Sequence, residues 1–527
     1  MLIDGRSVPA GSAFTTDLCI IGAGAAGITL ARELADAPFE VTLLESGGFD
    51  LDQETQALTD GKIVGMPYRA LPSTRLRCFG GTTQHWGGWC RAFDDIDFSE
   101  RDWVPHSGWP ITRADLVGYY GRAHEICQLG PFVYDPSDWD LGADQPLKLA
   151  GTDVKTRIIQ FSPPTRFGLR YRDAILHAAN TKLYLYSNVV RIEPSENGRQ
   201  IVRLDLKTLS GNSFSIRAKQ YVLATGGIEN PRLLLASNQR ISSGIGNEHD
   251  LVGRYFSDHM QLDTGGIFPL RSDASFDLYQ LEARDKIHKP TSANGRPTPL
   301  MGYFTLTDAA QRSARTLNYS GNIQRSYWSD YFFHVAKLHK NAESRFQEFT
   351  DGLTTMWNNM KEATDIAFTD RSLSITRTFH KITTTQEQAP NPNSRVTLSS
   401  EMDRLGLPIV NIDWQLTDLD KHTIKTAMKF IASALSAAGL ARLHVPVRLE
   451  VDEWPAYMGI SAHHSGTTRM HANPKFGVVD ANCQVHGISN LFVLGSSVFP
   501  TNSHGNPTLT IVALSLRLAA LLRTRLR

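Results

Sequence analysis

The stretch Asp17-Leu18-Cys19-Ile20-Ile21-Gly22-Ala23-Gly24-Ala25-Ala26-Gly27 decides the fold. Its apolar run reads as a buried strand entering a glycine-rich turn. Ile28 to Leu34 then reads as a helix, and Val41-Thr42-Leu43-Leu44-Glu45 as a second strand. Together they form a βαβ unit carrying G-x-G-x-x-G. Gly22 permits the tight turn, Gly24 lets backbone approach a pyrophosphate, and Gly27 allows close helix–strand packing. The helix N-terminus then faces the phosphates with free N–H groups and the positive dipole end. Glu45, followed by Ser46, closes the second strand about 20 residues on, where a carboxylate takes ribose hydroxyls. The expectation is a Rossmann-type, dinucleotide-binding α/β unit. The motif alone names neither the dinucleotide nor the reaction.

The chain of 527 residues is too long for one compact core, so two domains, discontinuous in sequence, are expected. The net charge of +1 gives no pull toward nucleic acid. Five scattered cysteines without a C-x-x-C argue against a disulfide framework or a structural zinc. The first residues lack the basic and apolar regions of a signal peptide. No apolar run approaches the roughly 18 residues of a membrane span. A cytoplasmic protein of unknown oligomeric state is the default expectation.

A second dense stretch runs Cys78-Phe79-Gly80-Gly81-Thr82-Thr83-Gln84-His85-Trp86-Gly87-Gly88-Trp89-Cys90. It makes poor helix and poor strand, and it suits a loop wrapped around a ligand. A helix is expected from Thr112 through Cys127 with Leu116, Tyr119, Tyr120, His124 and Cys127 near one face. Leu183 to Val190 reads as one strand. Arg203 to Lys207 and Ser213 to Ala218 read as a hairpin about Ser210-Gly211-Asn212. Tyr221-Val222-Leu223-Ala224-Thr225-Gly226-Gly227 is a second strand-to-helix glycine turn. No second complete G-x-G-x-x-G occurs, so a separate nicotinamide site is not supported.

From about 266 to 455 the texture changes to alternating Thr/Ser-rich segments, with one long helix near Asp418 to Ala438. Aromatics cluster at Tyr327-Trp328-Ser329-Asp330-Tyr331-Phe332-Phe333, where they suit core packing or stacking on a sugar. The dense signal returns at Ser461-Ala462-His463-His464-Ser465-Gly466-Thr467-Thr468-Arg469-Met470, at Leu494-Gly495-Ser496-Ser497, and at Ser503-His504-Gly505-Asn506-Pro507-Thr508-Leu509-Thr510. Asn506-Pro507 reads as a helix start, with Asn as cap and Pro in first position.

These motifs, in this order, resemble the glucose–methanol–choline (GMC) oxidoreductases, FAD enzymes that oxidise alcohols and sugars. The resemblance rests on Gly22 to Gly27 with Glu45, Gly80 to Gly88, Ala224 to Gly227, His463 to Met470 and Asn506 to Thr510. It implies a Rossmann-type FAD-binding domain (12–265, with some substrate-domain segments near 100–150), a mostly antiparallel α+β substrate domain flanked by helices (266–455), and a C-terminal return (456–527) carrying the catalytic pair. Counting back from Thr467 in the family's H-x-x-G-T pattern gives His463, not His464, as the catalytic histidine. The second active-site position falls on Asn506. A His–Asn pair is closest in character to the pyranose oxidase and sugar dehydrogenase branch.

The resemblance implies FAD contacts at Gly22, Gly24, Ala25, Ala26, Gly27, Glu45, Ser46, Gly80, Gly81, Thr82, His85, Trp86, Gly87, Val189, Val190, Ala224, Thr225, Gly226, Gly495, Pro507, Thr508 and Leu509. It offers His85 as a point of covalent attachment to FAD, against a packed or hydrogen-bonding histidine there. The substrate is an alcohol or sugar, and the electron acceptor O2, a quinone or a redox protein. Alcohol oxidation needs a hydride acceptor and a base, and histidine suits the second task. His463 is the expected base, Asn506 the residue orienting substrate oxygen, and the helix after Pro507 a source of positive potential. His504 either shapes the substrate site or is a histidine of the surface or of the layer behind the site. The alternative reading is a non-redox lyase that keeps FAD structurally. No G-x-S-x-G or H-E-x-x-H occurs, so neither a hydrolase nor a metal site is supported.

Overall fold

The structure is a computed structural model that describes residues 1–142, 144–149, 151, 153–271, 273–281, 297–327, 378–445, 454 and 458–527. The aromatic cluster expected to follow Tyr327 lies outside the described residues.

Two sheets organise these residues. The first is built on β1 (Ala13–Ile21), β2 (Val41–Leu44), β3 (Thr181–Leu185), β4 (Ser213–Leu223) and β5 (Leu491–Val493). They pair in parallel in the order β3-β2-β1-β4-β5, with register Leu18 to Val41 and Tyr221 to both Cys19 and Leu491. Parallel strands covered on both faces read as continuous apolar runs, and Ile20, Leu43, Val222 and Phe492 are all fully buried here. The expected βαβ unit forms, with α1 (Ala25–Glu33) connecting β1 to β2.

Two expectations are corrected in this sheet. The single strand read over 183–190 is broken at Tyr186, whose φ of 52° is left-handed. β3 ends at Leu185, and a new strand, Asn188–Pro194, pairs antiparallel with Ile201–Lys207. The hairpin about Gly211 forms, but its second arm and the strand entering the second glycine turn are one continuous element, β4. Alternating polar residues in its first half hid that continuity, because there buried Phe214 and Ile216 alternate with more exposed Ser213, Ser215 and Arg217.

The second sheet is antiparallel and ordered Ala441–His444, Met260–Pro269, Thr378–Gln386, Tyr319–Tyr327, Leu300–Leu306, Val154–Phe161 and Trp89–Cys90. Two of its strands, Val154–Phe161 and Trp89–Cys90, come from outside the expected 266–455 segment, and Met260–Pro269 runs across the expected boundary at 265. The helix α2 (Asp418–Ala437) packs across this sheet. The Asp420 carboxylate accepts the Thr417 N–H at 2.7 Å, closing a capping box that fixes where α2 starts. Each sheet has its own apolar core. The helix expected over 112–127 spans Ala114–Ile126 and buries Leu116, Tyr120 and His124.

The C-terminal helix α3 (Thr508–Arg525) packs on α1 and on Ala114–Ile126. It starts after Pro507, and Asn506 does not cap it. That frees the Asn506 amide for the site. No described helix is long and apolar enough to cross a membrane.

Candidate active site

A cleft of about 540 Å³ runs along the C-terminal ends of β1 and β2 and on to the loops at 461–464 and 506–508. A ligand crevice at this position is the general rule for open α/β sheets. Its glycine end is made of backbone. Gly22 has φ 102°, and a Cβ there would meet the Ala224 carbonyl oxygen at 2.7 Å. The α1 N-terminus has no side-chain cap and no acid in its first turn, which leaves its N–H groups for an anion. The glycine loop continues this wall, and the Gly80 N–H donates to the Ala23 carbonyl at 2.8 Å.

Glu45 lies just past β2 and is buried. Its carboxylate accepts from the Ala23 N–H at 3.0 Å, the Gly47 N–H at 3.0 Å and the Ser46 hydroxyl at 3.1 Å. Burial pushes its pKa up, and these donors oppose that shift. The second glycine turn is pinned by Asn230, whose Oδ1 accepts from the Thr225 N–H at 2.9 Å and whose Nδ2 donates to the Leu494 carbonyl at 3.0 Å.

Of the residues expected at the cofactor, Gly22, Gly24, Ala25, Ala26, Glu45, Ser46, Gly81, Thr82, His85, Trp86, Gly87, Val189, Ala224, Thr225, Gly226, Gly495, Pro507 and Thr508 line this cleft. Four expected residues stand off it. Gly27 packs α1 against β1, where a Cβ would lie 1.9 Å from the Gly22 carbonyl oxygen. Gly80 shapes the turn behind Gly81. Val190 sits at a register shift between Val189 and Arg191 and does not line the cleft. Leu509 is fully buried in the core while Ile511, outside the expected set, reaches the cleft.

The histidine end is made of side chains. His463 and Asn506, 43 residues apart, meet with Asn506 Nδ2 at 3.4 Å from His463 Nε2. His463 is not on a strand. It follows Ala462, whose φ of 58° is left-handed. Its Nδ1 lies 2.9 Å from Nδ1 of His259, and its backbone N–H donates to Asp258 Oδ1 at 2.8 Å. Burial, with His259 and His464 beside it, holds the His463 pKa well below the usual imidazole value, so the ring rests neutral.

His464 turns toward Phe256, ring centroids 5.9 Å apart, and its Nε2 is buried without a hydrogen-bond partner. Burial, then Arg75, lowers its pKa to about 3. Although His464 also reaches the cleft wall, the side chain aligned with Asn506 is that of His463. His504 is buried behind the site, its Nε2 3.0 Å from the Tyr303 hydroxyl.

Residues the sequence reading missed stand in the cleft wall or behind it. Asp258 and His259 stand in a stretch without a motif, and their adjacency was the one available signal. Arg75 and Arg77 both donate to Glu229, at 2.9 and 2.7 Å, and Arg232 bridges Glu229 to Asp403. Burial raises the Glu229 pKa, but Arg77, Arg232 and Arg75 outweigh it and hold it at about 2. No group of three His, Cys, Asp or Glu suited to a metal occurs among the described residues.

Comparison with known proteins gives the family and the fold. Residues 390–515 match the family model described as GMC oxidoreductase, and residues 17–242 the one described as FAD dependent oxidoreductase. A C-glycoside 3-oxidase of Microbacterium trichothecenolyticum is 36% identical over 507 residues, covering 90% of this chain and 78% of that protein. A 2-methyl-1,2-propanediol dehydrogenase of Mycolicibacterium austroafricanum is 24% identical, covering 96% and 95% of the two chains. A crystal structure of formate oxidase superposes with TM-score 0.57 at 18% identity, covering 98% of this chain and 99% of the other.

Proposed function

The chain belongs to the GMC oxidoreductase family and is an FAD-dependent oxidoreductase of CH–OH donors, and from that premise we propose that His463 is its base, Asn506 its substrate-orienting residue, and a sugar or glycoside hydroxyl its target. The residues present fit the cofactor. An uncapped helix N-terminus, a glycine wall without side chains and a buried carboxylate stand at one end, and α3 begins at the other. Gly24, Ala25, Ala26 and Gly81 would hold the pyrophosphate, and Glu45 the ribose. The N–H groups that open α3, with its dipole, would favour negative charge on the flavin ring. When bound, FAD supplies the hydride acceptor.

The observation that carries the reading is the His463–Asn506 contact in the cleft wall. A neutral imidazole kept out of water is ready to take the hydroxyl proton through Nε2. The Asn506 amide holds the same oxygen in line, which removes orientational freedom before reaction. The sugar or glycoside preference takes its support from the 36% identity to the C-glycoside 3-oxidase. We keep His85, which lines the cleft beside Trp86, as the candidate attachment point for FAD.

The test is the visible spectrum of the purified protein, followed by anaerobic addition of D-glucose, a C-glycoside and 2-methyl-1,2-propanediol. A yellow protein bleached by the glucose or the C-glycoside is expected. A flavin that stays oxidised while substrate is consumed would establish the lyase reading instead. Acid precipitation of the same sample shows whether the colour stays with the protein, as attachment through His85 requires. Readmission of air or of a quinone identifies the acceptor.

A further inference from the structure

Behind His463 stands a second imidazole with no assigned task. His259 is fully buried, and its Nε2 lies 3.1 Å from the Asn502 carbonyl oxygen. A carbonyl oxygen only accepts, so this Nε2 carries the hydrogen. A neutral ring then has a bare Nδ1. That Nδ1 is 2.9 Å from His463 Nδ1, so His463 Nδ1 must be the donor. The Asn506 contact accords with this tautomer: with Nδ2 facing His463 Nε2 at 3.4 Å, the amide donates to a bare Nε2.

We infer that His259 is a positioning residue that fixes His463 in the Nδ1–H tautomer, so that the Nε2 lone pair faces the substrate hydroxyl. The inference rests on the reading of His463 as base. Without His259, the ring is free to place its proton on Nε2, the wrong nitrogen for accepting another. With it, the substrate O–H bond breaks, its electron pair stays on oxygen, and a new N–H bond forms at Nε2. The resulting imidazolium is held by Nδ1–H donating to His259.

The spacing of the two rings is itself fixed. Asp258 Oδ1 accepts both the His463 N–H at 2.8 Å and the His259 N–H at 2.7 Å. Its Oδ2 takes the Tyr68 hydroxyl at 2.5 Å. One carboxylate therefore sets the backbone positions of both histidines, and the rings meet edge-on with centroids 4.9 Å apart. The titratable and charged groups facing the pair are Asp258, with Tyr68 behind it, His464, with Arg75 beside it, His504, with Arg91 beside it, and Glu387. Burial lowers the His259 pKa to about 4, which keeps it neutral and an acceptor at working pH. A second proton would set two N–H groups against each other, so the pair takes one.

The experiment compares His259→Leu and His259→Asn with the wild-type holoenzyme. It follows the anaerobic flavin-reduction rate against pH, using whichever panel compound bleaches the wild type fastest. The leucine variant is expected to slow reduction about 10- to 100-fold, the range for losing a partner that orients an active-site histidine. Its substrate affinity and FAD content should be unchanged. Its pH profile should change, because His259 faces the ring that takes the proton. The asparagine variant, whose Oδ1 accepts where Nδ1 did, should recover most of the rate. An unchanged rate and pH profile in the leucine variant would overturn the inference.

Nitrogen NMR of the wild-type holoenzyme labelled with ¹⁵N in its histidine rings decides the matter even where the variants lose FAD. The His463 signals, assigned by their loss in His463→Asn, must show a protonated Nδ1 and a bare Nε2. The reverse pattern refutes the positioning role whatever the base proves to be. Full-rate reduction by His463→Asn would refute the base reading alone.

Discussion

The two ends of the cleft are built by different means. The glycine end brings backbone to the ligand: Gly22, Gly24, Gly81 and the N–H groups of α1 form a wall with few side chains. Each of its turns is local in sequence, and each is legible by itself. The histidine end brings side chains from distant segments, with His463 204 residues from His259 and 43 from Asn506. Local patterning is enough for an anchor, whereas general-base chemistry needs a shielded cluster whose members only the tertiary fold assembles. Substitutions at the first end should therefore change cofactor retention, and those at the second the rate with cofactor in place.

The sharpest way to break that division is His463→Asn. Loss of a general base costs about 10²- to 10⁴-fold, so anaerobic flavin reduction should fall by that factor at unchanged FAD content. His464→Ala is its control and should keep most of the rate, because the His464 ring packs on Phe256 and makes no contact with Asn506. The reverse result would move the base to His464. Loss of FAD from His463→Asn would dissolve the distinction between the two ends.

A pin behind the histidine end gives the next effect. Arg101 and Glu387 form a fully buried ion pair with contacts of 2.9 and 2.6 Å, and Asn318 Nδ2 adds a donor to Glu387 at 2.8 Å. The neighbouring Gln388 accepts the Asp258 N–H at 3.0 Å, so the pin reaches the carboxylate that spaces the histidines. Leaving one buried partner alone costs about 3–5 kcal/mol. Arg101→Met should lower stability to chemical denaturation by that amount. Burial raises the Glu387 pKa, but Arg101 and Asn318 lower it further, leaving it below its ordinary value. The pair's contribution is therefore complete above the unfolded carboxyl value of about 4.3. It is lost as pH falls through the lower folded value. Arg101→Met should flatten this acid limb of a stability profile, and an unchanged limb would mean that another carboxylate sets it.

What the sequence made legible follows the same division. β1, the glycine turn, β2 and Glu45 were readable because period, turn chemistry and spacing all act within 30 residues. The Val189–Val190 strand was misjudged because apolar residues continue through Tyr186, and nothing local announces its left-handed φ. Asn506 looked like a helix cap because Asn-Pro suits one, yet tertiary contact with His463 took the amide instead. His259 had only its adjacency to Asp258 as a local signal, since its partners, Asn502 and His463, are set by the fold. The Glu229 cluster was invisible for the same reason, as its arginines come from residues 75, 77 and 232.

The smallest effects fall within the glycine motif and separate fold from ligand inside four residues. At Gly27 a Cβ would lie 1.9 Å from the Gly22 carbonyl oxygen, and backbone cannot yield as a flexible side chain does. Gly27→Ala should cost the protein about 1–3 kcal/mol as overpacking, with or without FAD. At Gly24 nothing of the protein lies within 4 Å of the same Cβ, and its φ of −85° and ψ of −163° suit any residue. Gly24→Ala should therefore leave the FAD-free protein as stable as wild type, or about 0.4–1 kcal/mol more so through the unfolded chain. The added methyl stands on the wall where pyrophosphate approaches, so FAD should bind about tenfold more weakly, roughly 1.4 kcal/mol. Paired melting curves with and without FAD read both quantities. Opposite signs in the FAD-free and FAD-bound curves are the signature of a glycine kept for its ligand. A Gly24→Ala protein that retains FAD as tightly as wild type would move the pyrophosphate away from this turn.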